Sequence, residues 1–109
     1  MPRILQWHAH VYFDADTVDI ANEVCERAAR ELPVARGRMH HRPVGPHPAW
    51  SCQLAFGPDA IGLLTAWLTL HRRGLTVFMH PDTGDALPDH RDRAVWFGES
   101  RVLDLDALR

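Results

Sequence analysis

Polar and apolar side chains alternate from Ile4 to Phe13, then apolar ones recur at helical spacing from Thr17 to Leu32, and the same change of period happens again further along. This order restricts the fold more than composition does. The first stretch, rich in Val, Tyr, Phe and Trp, is expected to be a strand with His8, His10 and Tyr12 on one face and Ala9, Val11 and Phe13 on the other. Asp16 offers a helix N-cap, Val18, Ala21, Val24, Cys25, Ala28 and Leu32 form the helical stripe, and Pro33 closes it. Arg36 to Arg42 is expected as a weakly signalled second strand. Pro43-Val44-Gly45-Pro46-His47-Pro48 is a stiff connection unsuited to a helix or an inner strand.

Trp50 to Phe56 reads as a third strand. Gly57-Pro58 opens a second helix whose stripe is Ile61, Leu64, Trp67, Leu68 and His71, with Arg72 and Arg73 at its negative end and Gly74 just past it. Leu75 to His80 is a fourth strand, His80 to Asp85 a turn, and Ala94 to Phe97 a short fifth strand. The order β-α-β-β-α-β is the signature of a ferredoxin-like α+β sandwich: an antiparallel sheet, both helices on one face, and a short C-terminal extension. At 109 residues the chain is expected to be a single domain, 1–109.

Composition removes several function classes. Hydrophobic residues make up 46% and charged ones 24%, which suits a globular core, and a formal charge of −2 gives no basic field for nucleic acid. No apolar run is long enough to span a bilayer, and Met1 to His8 lacks the apolar stretch of a signal peptide. Cys25 and Cys52 suit buried thiols in a reducing compartment, so a cytoplasmic location is expected, with neither nucleic acid nor membrane as partner. All twelve basic residues are arginine, a compositional bias, but eight histidines against one tyrosine need a chemical reading.

Topology supplies one. The first strand should lie beside the fourth, which runs antiparallel to it, so His80 returns toward His8. His47, in the proline-rich connection, should reach the same edge, and His10 lies on the face of His8. Histidines from distant segments thus meet on a sheet face left open to solvent, a ligand or a partner subunit, which points to a metal or catalytic site. Nitrogen donors suit Zn, Cu, Fe or Ni better than Mg or Ca, and no HExxH, CxxC or phosphate loop suggests another mechanism. His71 reads as a structural histidine on the second helix, and His41 points away from His40. His90 is either a solvated loop residue or an acid–base group oriented by Asp89 or Asp85. Trp67 belongs to the core, while Trp7, Trp50 and Trp96 are expected as core or dimer contacts. Arg38 and Arg42 either pair with a substrate carboxylate or line a solvated strand edge.

Several segments resemble the DOPA 4,5-dioxygenase family: His8-Ala9-His10-Val11-Tyr12-Phe13, Gly37-Arg38-Met39-His40, Pro43-Val44-Gly45-Pro46-His47-Pro48, and His80-Pro81-Asp82-Thr83-Gly84-Asp85 followed by Asp89-His90. The likeness runs in order from about Trp7 to Glu99 and is most specific in the proline-rich and HPxTGD segments. It implies a ferredoxin-like homodimer that opens a catechol, such as DOPA or another substituted catechol, beside its hydroxyl pair with O2 at Fe(II); zinc could stand in for the iron in a purified form. The implied ligand pool is His8, His10, His47 and His80, three of the four, with His40 and His90 as acid–base residues and Arg38 and Tyr12 as substrate contacts. The usual ferrous triad includes a carboxylate, which Glu99 or Asp85 would have to supply, and Arg93 stands where the family pattern often has a further histidine. Two other readings are a non-catalytic His-rich metal- or small-ligand-binding protein of the same fold, and a cofactor-independent enzyme of the dimeric αβ-barrel type.

Overall fold

The computed structural model describes residues 2–109. Its elements are β1 (Gln6–Phe13), α1 (Val18–Glu31), β2 (Ala35–Arg36), β3 (Trp50–Phe56), α2 (Ile61–His71), β4 (Val77–Asp82), α3 (Ala86–Arg91) and β5 (Val95–Phe97), with short 3-10 turns at Pro58–Ala60 and Leu105–Leu108. The sheet order is β2-β3-β1-β4-β5 and every pairing is antiparallel. This is the ferredoxin-like α+β arrangement that the element order implies, with β5 added beside β4.

Period-two alternation in β1 sends Ala9, Val11 and Phe13 into the core, where they meet Ala21, Val24, Cys25 and Ala28 of α1 and Leu64, Trp67 and Leu68 of α2. Small residues on α1 let its backbone approach the sheet. Leu54, Leu64 and Leu68 are fully buried, so truncating any of them to Ala would cost about 2–5 kcal/mol. Gly74, at φ 79°, supplies the left-handed turn that frees the chain to enter β4. Cys25 and Cys52 are free and buried.

Four expectations need correction. The second strand is only Ala35–Arg36, because Gly37 and the prolines at 43, 46 and 48 limit further pairing to one isolated bridge, His40 to Ser51. Thr17 rather than Asp16 occupies the N-cap of α1, and the turn before it is held by Asp14, whose Oδ1 accepts from the N–H groups of Asp16 and Thr17. Residues 86–91, expected to be loop, form α3 despite Pro88, which lies in its first turn where its missing N–H costs nothing.

The fourth correction concerns the sheet's second face. It is not open: the 37–49 segment, α3 and the C-terminal stretch lie over it, and Asp104 N–H donates to the Pro46 carbonyl at 2.9 Å to fasten two of these covers together. Tyr12 is 1% exposed, His80 3% and His10 6%. The His- and Tyr-bearing face expected to be open to solvent, a ligand or a partner subunit is therefore covered by the chain itself. Among the described residues, no helix is long and apolar enough to cross a membrane.

Candidate metal centre

Sheet register builds the centre. His8 and His80 are direct cross-strand partners, and His10 lies two residues along β1 from His8 on the same face. One ring nitrogen from each of His8, His10 and His80 falls within a mutual distance of 4.8 Å. The His10 and His80 Nε2 atoms are 3.0 Å apart, close enough to converge on one ion. His80 Nδ1–H donates to the Pro81 carbonyl at 2.8 Å, so its lone pair resides on Nε2, on the side of His10. A backbone carbonyl behind the imidazole is the usual orienting partner of a metal-bound histidine. The donor set therefore fits a borderline transition metal.

Two further imidazoles adjoin the triad. His47 is 8% exposed; its ring centroid is 4.0 Å from that of His10, and its Nδ1 shares a 2.8 Å hydrogen bond with the Tyr12 hydroxyl. It sits over the middle of β1, not at the sheet edge, and its placement matches the expected ligand pool less closely than the other three. His90 is brought in by α3: its ring lies 3.8 Å from His80, and its Nδ1–H donates to the Ala86 carbonyl at 2.7 Å. Its orienting partner is thus a backbone carbonyl and neither Asp89 nor Asp85.

These five histidines line a cavity of about 340 Å³, with Gln53 and Asp82 also on its wall. A second chamber of about 210 Å³ shares His10, His47 and Gln53 with it and adds His40, Gly45 and Ser51. Gln53 escaped sequence reading because a lone glutamine carries no pattern; only its register opposite His10 reveals it. Arg38 is exposed and lines neither chamber. Tyr12 reaches the first chamber only through His47.

Among the described residues, no carboxylate groups with the three imidazoles as a candidate ligand. Glu99 and Asp85 do not line the cavity. Asp82 accepts from Gly84 N–H and the Gln6 amide. Asp89, 2% exposed, accepts from Thr83 N–H at 2.8 Å, from the Thr83 hydroxyl at 2.9 Å and from Arg93 at 3.0 Å. Burial pushes the Asp89 carboxyl up, but these donors outweigh it and hold it below the usual carboxylate value. Arg93 has a structural task here: it neutralises the buried carboxylate that pins α3 to the turn after β4.

Burial also favours the neutral form of four of these imidazoles, His8, His10, His47 and His80. It lowers His47 and His80 to about 4, reinforced at both by neighbouring His90 and partly opposed at His80 by the Pro81 carbonyl. His10 lies well below its ordinary value, chiefly through burial and then the imidazoles around it; burial also lowers His8, against the pull of Asp82. Neutral imidazole is the metal-binding form. The unfolded chain, with ordinary histidines near 6.5, binds more protons than the folded one between that pH and about 4. Stability is therefore complete above pH 6.5 and declines as pH falls toward 4. Metal-free protein is expected to lose about 3 kcal/mol or more across that window. Urea unfolding at a series of pH values measures it, and a flat profile would contradict burial of these rings.

A model of the Dopa 4,5-dioxygenase family matches residues 7–107. The chain is 34% identical over 112 residues to an uncharacterized 21.2 kDa protein of Botryotinia fuckeliana, covering 92% of this chain and 61% of that one. It is 29% identical over 119 residues to the DOPA 4,5-dioxygenase of Amanita muscaria, covering 96% of this chain and 50% of the relative. It thus spans between half and about three fifths of the length of these curated relatives. A crystal structure of a candidate dioxygenase from Nostoc punctiforme superposes with a TM-score of 0.94 at 41% identity, covering 96% of this chain and 91% of that one.

Proposed function

This chain belongs to the Dopa 4,5-dioxygenase family, and from that premise we propose that it opens a catechol ring beside its hydroxyl pair, both atoms of O2 entering a muconic semialdehyde-type product. The observation that carries this reading is the convergence of His8, His10 and His80 within 4.8 Å on the wall of a ligand-sized cavity. These three residues would hold Fe(II), with His47 beside them. Fe(II) bound there supplies open positions for catecholate and O2 and electron density to couple them.

The chain's own groups handle protons and position. His90 has Nδ1 committed to Ala86, which leaves Nε2 with no protein partner among the described residues; in the neutral ring it is the acceptor for a catechol hydroxyl proton. Tyr12 is a positioning residue for His47: its phenol, whose ionisation burial suppresses, keeps the ring oriented against His10. His40 lies in the adjoining chamber and would meet the ring substituent, with Gln53 on the wall between. Arg38 has no part in this reading.

A competing reading has its own observation. The triad is all nitrogen, which suits zinc as well as iron, and a zinc-binding protein without turnover would need nothing more. One experiment separates the two. Protein reconstituted with Fe(II) is expected to consume one O2 per catechol and form a yellow product from at least one member of a panel including DOPA and caffeic acid. Chelation of the iron should abolish uptake, and zinc-loaded protein should show none. One metal per chain with no uptake from any catechol favours the binding protein, and uptake that survives chelation favours a cofactor-independent enzyme.

A further inference from the structure

A cavity larger than the imidazole chamber, about 470 Å³, opens at the other end of β1. Its walls include the aromatic rings of Tyr12, Phe13 and Trp50, the apolar Leu75, and a single cationic side chain, Arg101. We propose that this cavity is a second binding site, taking the carboxylate of a small aryl acid with Arg101 as the anion-recognising group.

Arg101 is placed for that task. Its guanidinium lies over the Tyr12 ring, 5.5 Å from the centroid, and one nitrogen donates to the Thr76 hydroxyl at 3.4 Å. Stacking on a phenol and one hydrogen bond fix the plane of the fork while leaving donors to spare. Among the described residues no carboxylate lies within ion-pair distance of it. A planar fork with free N–H groups is matched by a carboxylate, which accepts two parallel hydrogen bonds. Asp14, the other charged group on the wall, has its Oδ1 engaged by Asp16 N–H, Thr17 N–H and the Thr17 hydroxyl, and it feels the Arg101 charge without forming an ion pair with it. With one cation and one anion on the walls, the site favours a singly charged ligand over a phosphate. Aromatic and leucine walls favour an aryl body behind that charge.

The two sites share Tyr12. Its ring carries Arg101 on the cavity side, and its hydroxyl holds His47 on the imidazole side. The carboxylate could belong to a separate molecule or to the side chain of a catechol substrate, and the experiment tells these sources apart.

The probe is 3-phenylpropionate, which has no hydroxyl pair to bind a metal. Calorimetric titration into metal-free protein needs neither iron nor turnover, so its outcome stands apart from the dioxygenase reading. Saturable one-site binding is expected, about tenfold weaker or worse in Arg101→Gln. The neutral 3-phenylpropanol should bind the unaltered protein no better than the acid binds that variant, and His80→Ala should leave acid binding unchanged. Arg101 is exposed, so the variant should unfold at the same temperature as the parent. Equal binding of acid and alcohol, or equal binding by Arg101→Gln, overturns the proposal. Where the iron form turns over, 3-phenylpropionate that competes with a carboxylated catechol but not with 4-methylcatechol assigns the carboxylate to the substrate. Binding without competition against either assigns it to a separate ligand.

Discussion

His80→Ala is expected to weaken metal binding by about 100-fold or more and to abolish oxygen uptake while leaving the protein folded. His80 is the member of the triad that contacts both others: it pairs with His8 across the β1–β4 register and meets His10 Nε2 at 3.0 Å. Without it only His8 and His10 of the triad remain, both on one strand, and the ion loses the donor that closes the cluster from β4. The fold should tolerate the change, because the side chain lies on the sheet face opposite α1 and α2 and outside the hydrophobic core. His90→Ala is the contrast. It should keep stoichiometric metal and lose about 10²–10⁴-fold in kcat, the usual worth of a general acid or base. Metal content and single-turnover rates on both variants test the division of labour. Undiminished metal in His80→Ala would remove His80 from the ligand set.

The second large effect belongs to a residue that touches no ligand. Asp89→Ala removes the acceptor for Thr83 N–H, the Thr83 hydroxyl and Arg93 together, and leaves those donors at a half-buried turn. Breaking a buried pair of this kind costs about 3 kcal/mol, a drop of about 10 °C or more in Tm for a chain of this size. The sign of the pH dependence follows from the depressed carboxyl: its contribution is complete above the unfolded value near 4 and lost as pH falls through the folded value. Parent and variant stabilities should therefore converge in acid. Because α3 carries both Asp89 and His90, the variant should also lose turnover at temperatures where it is still folded. Arg93→Ala should cost less, since Thr83 continues to satisfy the carboxylate. A variant as stable as the parent at pH 7 would show that the knot contributes nothing.

Much of this architecture was legible from period alone. Alternation in β1 and helical spacing in α1 were legible because each buries one face against a single core, so side-chain chemistry repeats with the geometry of the element. α2 is apolar nearly all round, with Leu63 and Leu70 exposed, and is marked better by its length and the flanking Pro58 and Gly74 than by its period. The short elements were not legible. β2 has two residues and α3 six, too few for a period to register, and Pro88 disguises α3 as a loop. The second sheet face was expected to be open, and nothing in the local sequence announces that the 37–49 segment and the C-terminal stretch fold back over it. Among the arginines, Arg38 sits in a recognisable segment yet lies on the surface, whereas Arg101 sits in an unremarkable tail yet reaches an aromatic wall.

The sequence by itself determined the antiparallel sheet with two helices on one face, and that His8, His10 and His80 share its other face, because strand alternation and topology leave little freedom there. Only the tertiary structure decided which imidazoles meet nitrogen to nitrogen, that Tyr12 holds His47, and that Asp89 is spent on Thr83 and Arg93. Register and parity fix a side chain to a face, but contacts between segments far apart in the chain depend on how loops are draped across it. That draping is set by packing and hydrogen bonds to the covered face, such as the one from Asp104 to Pro46, which have no period to read.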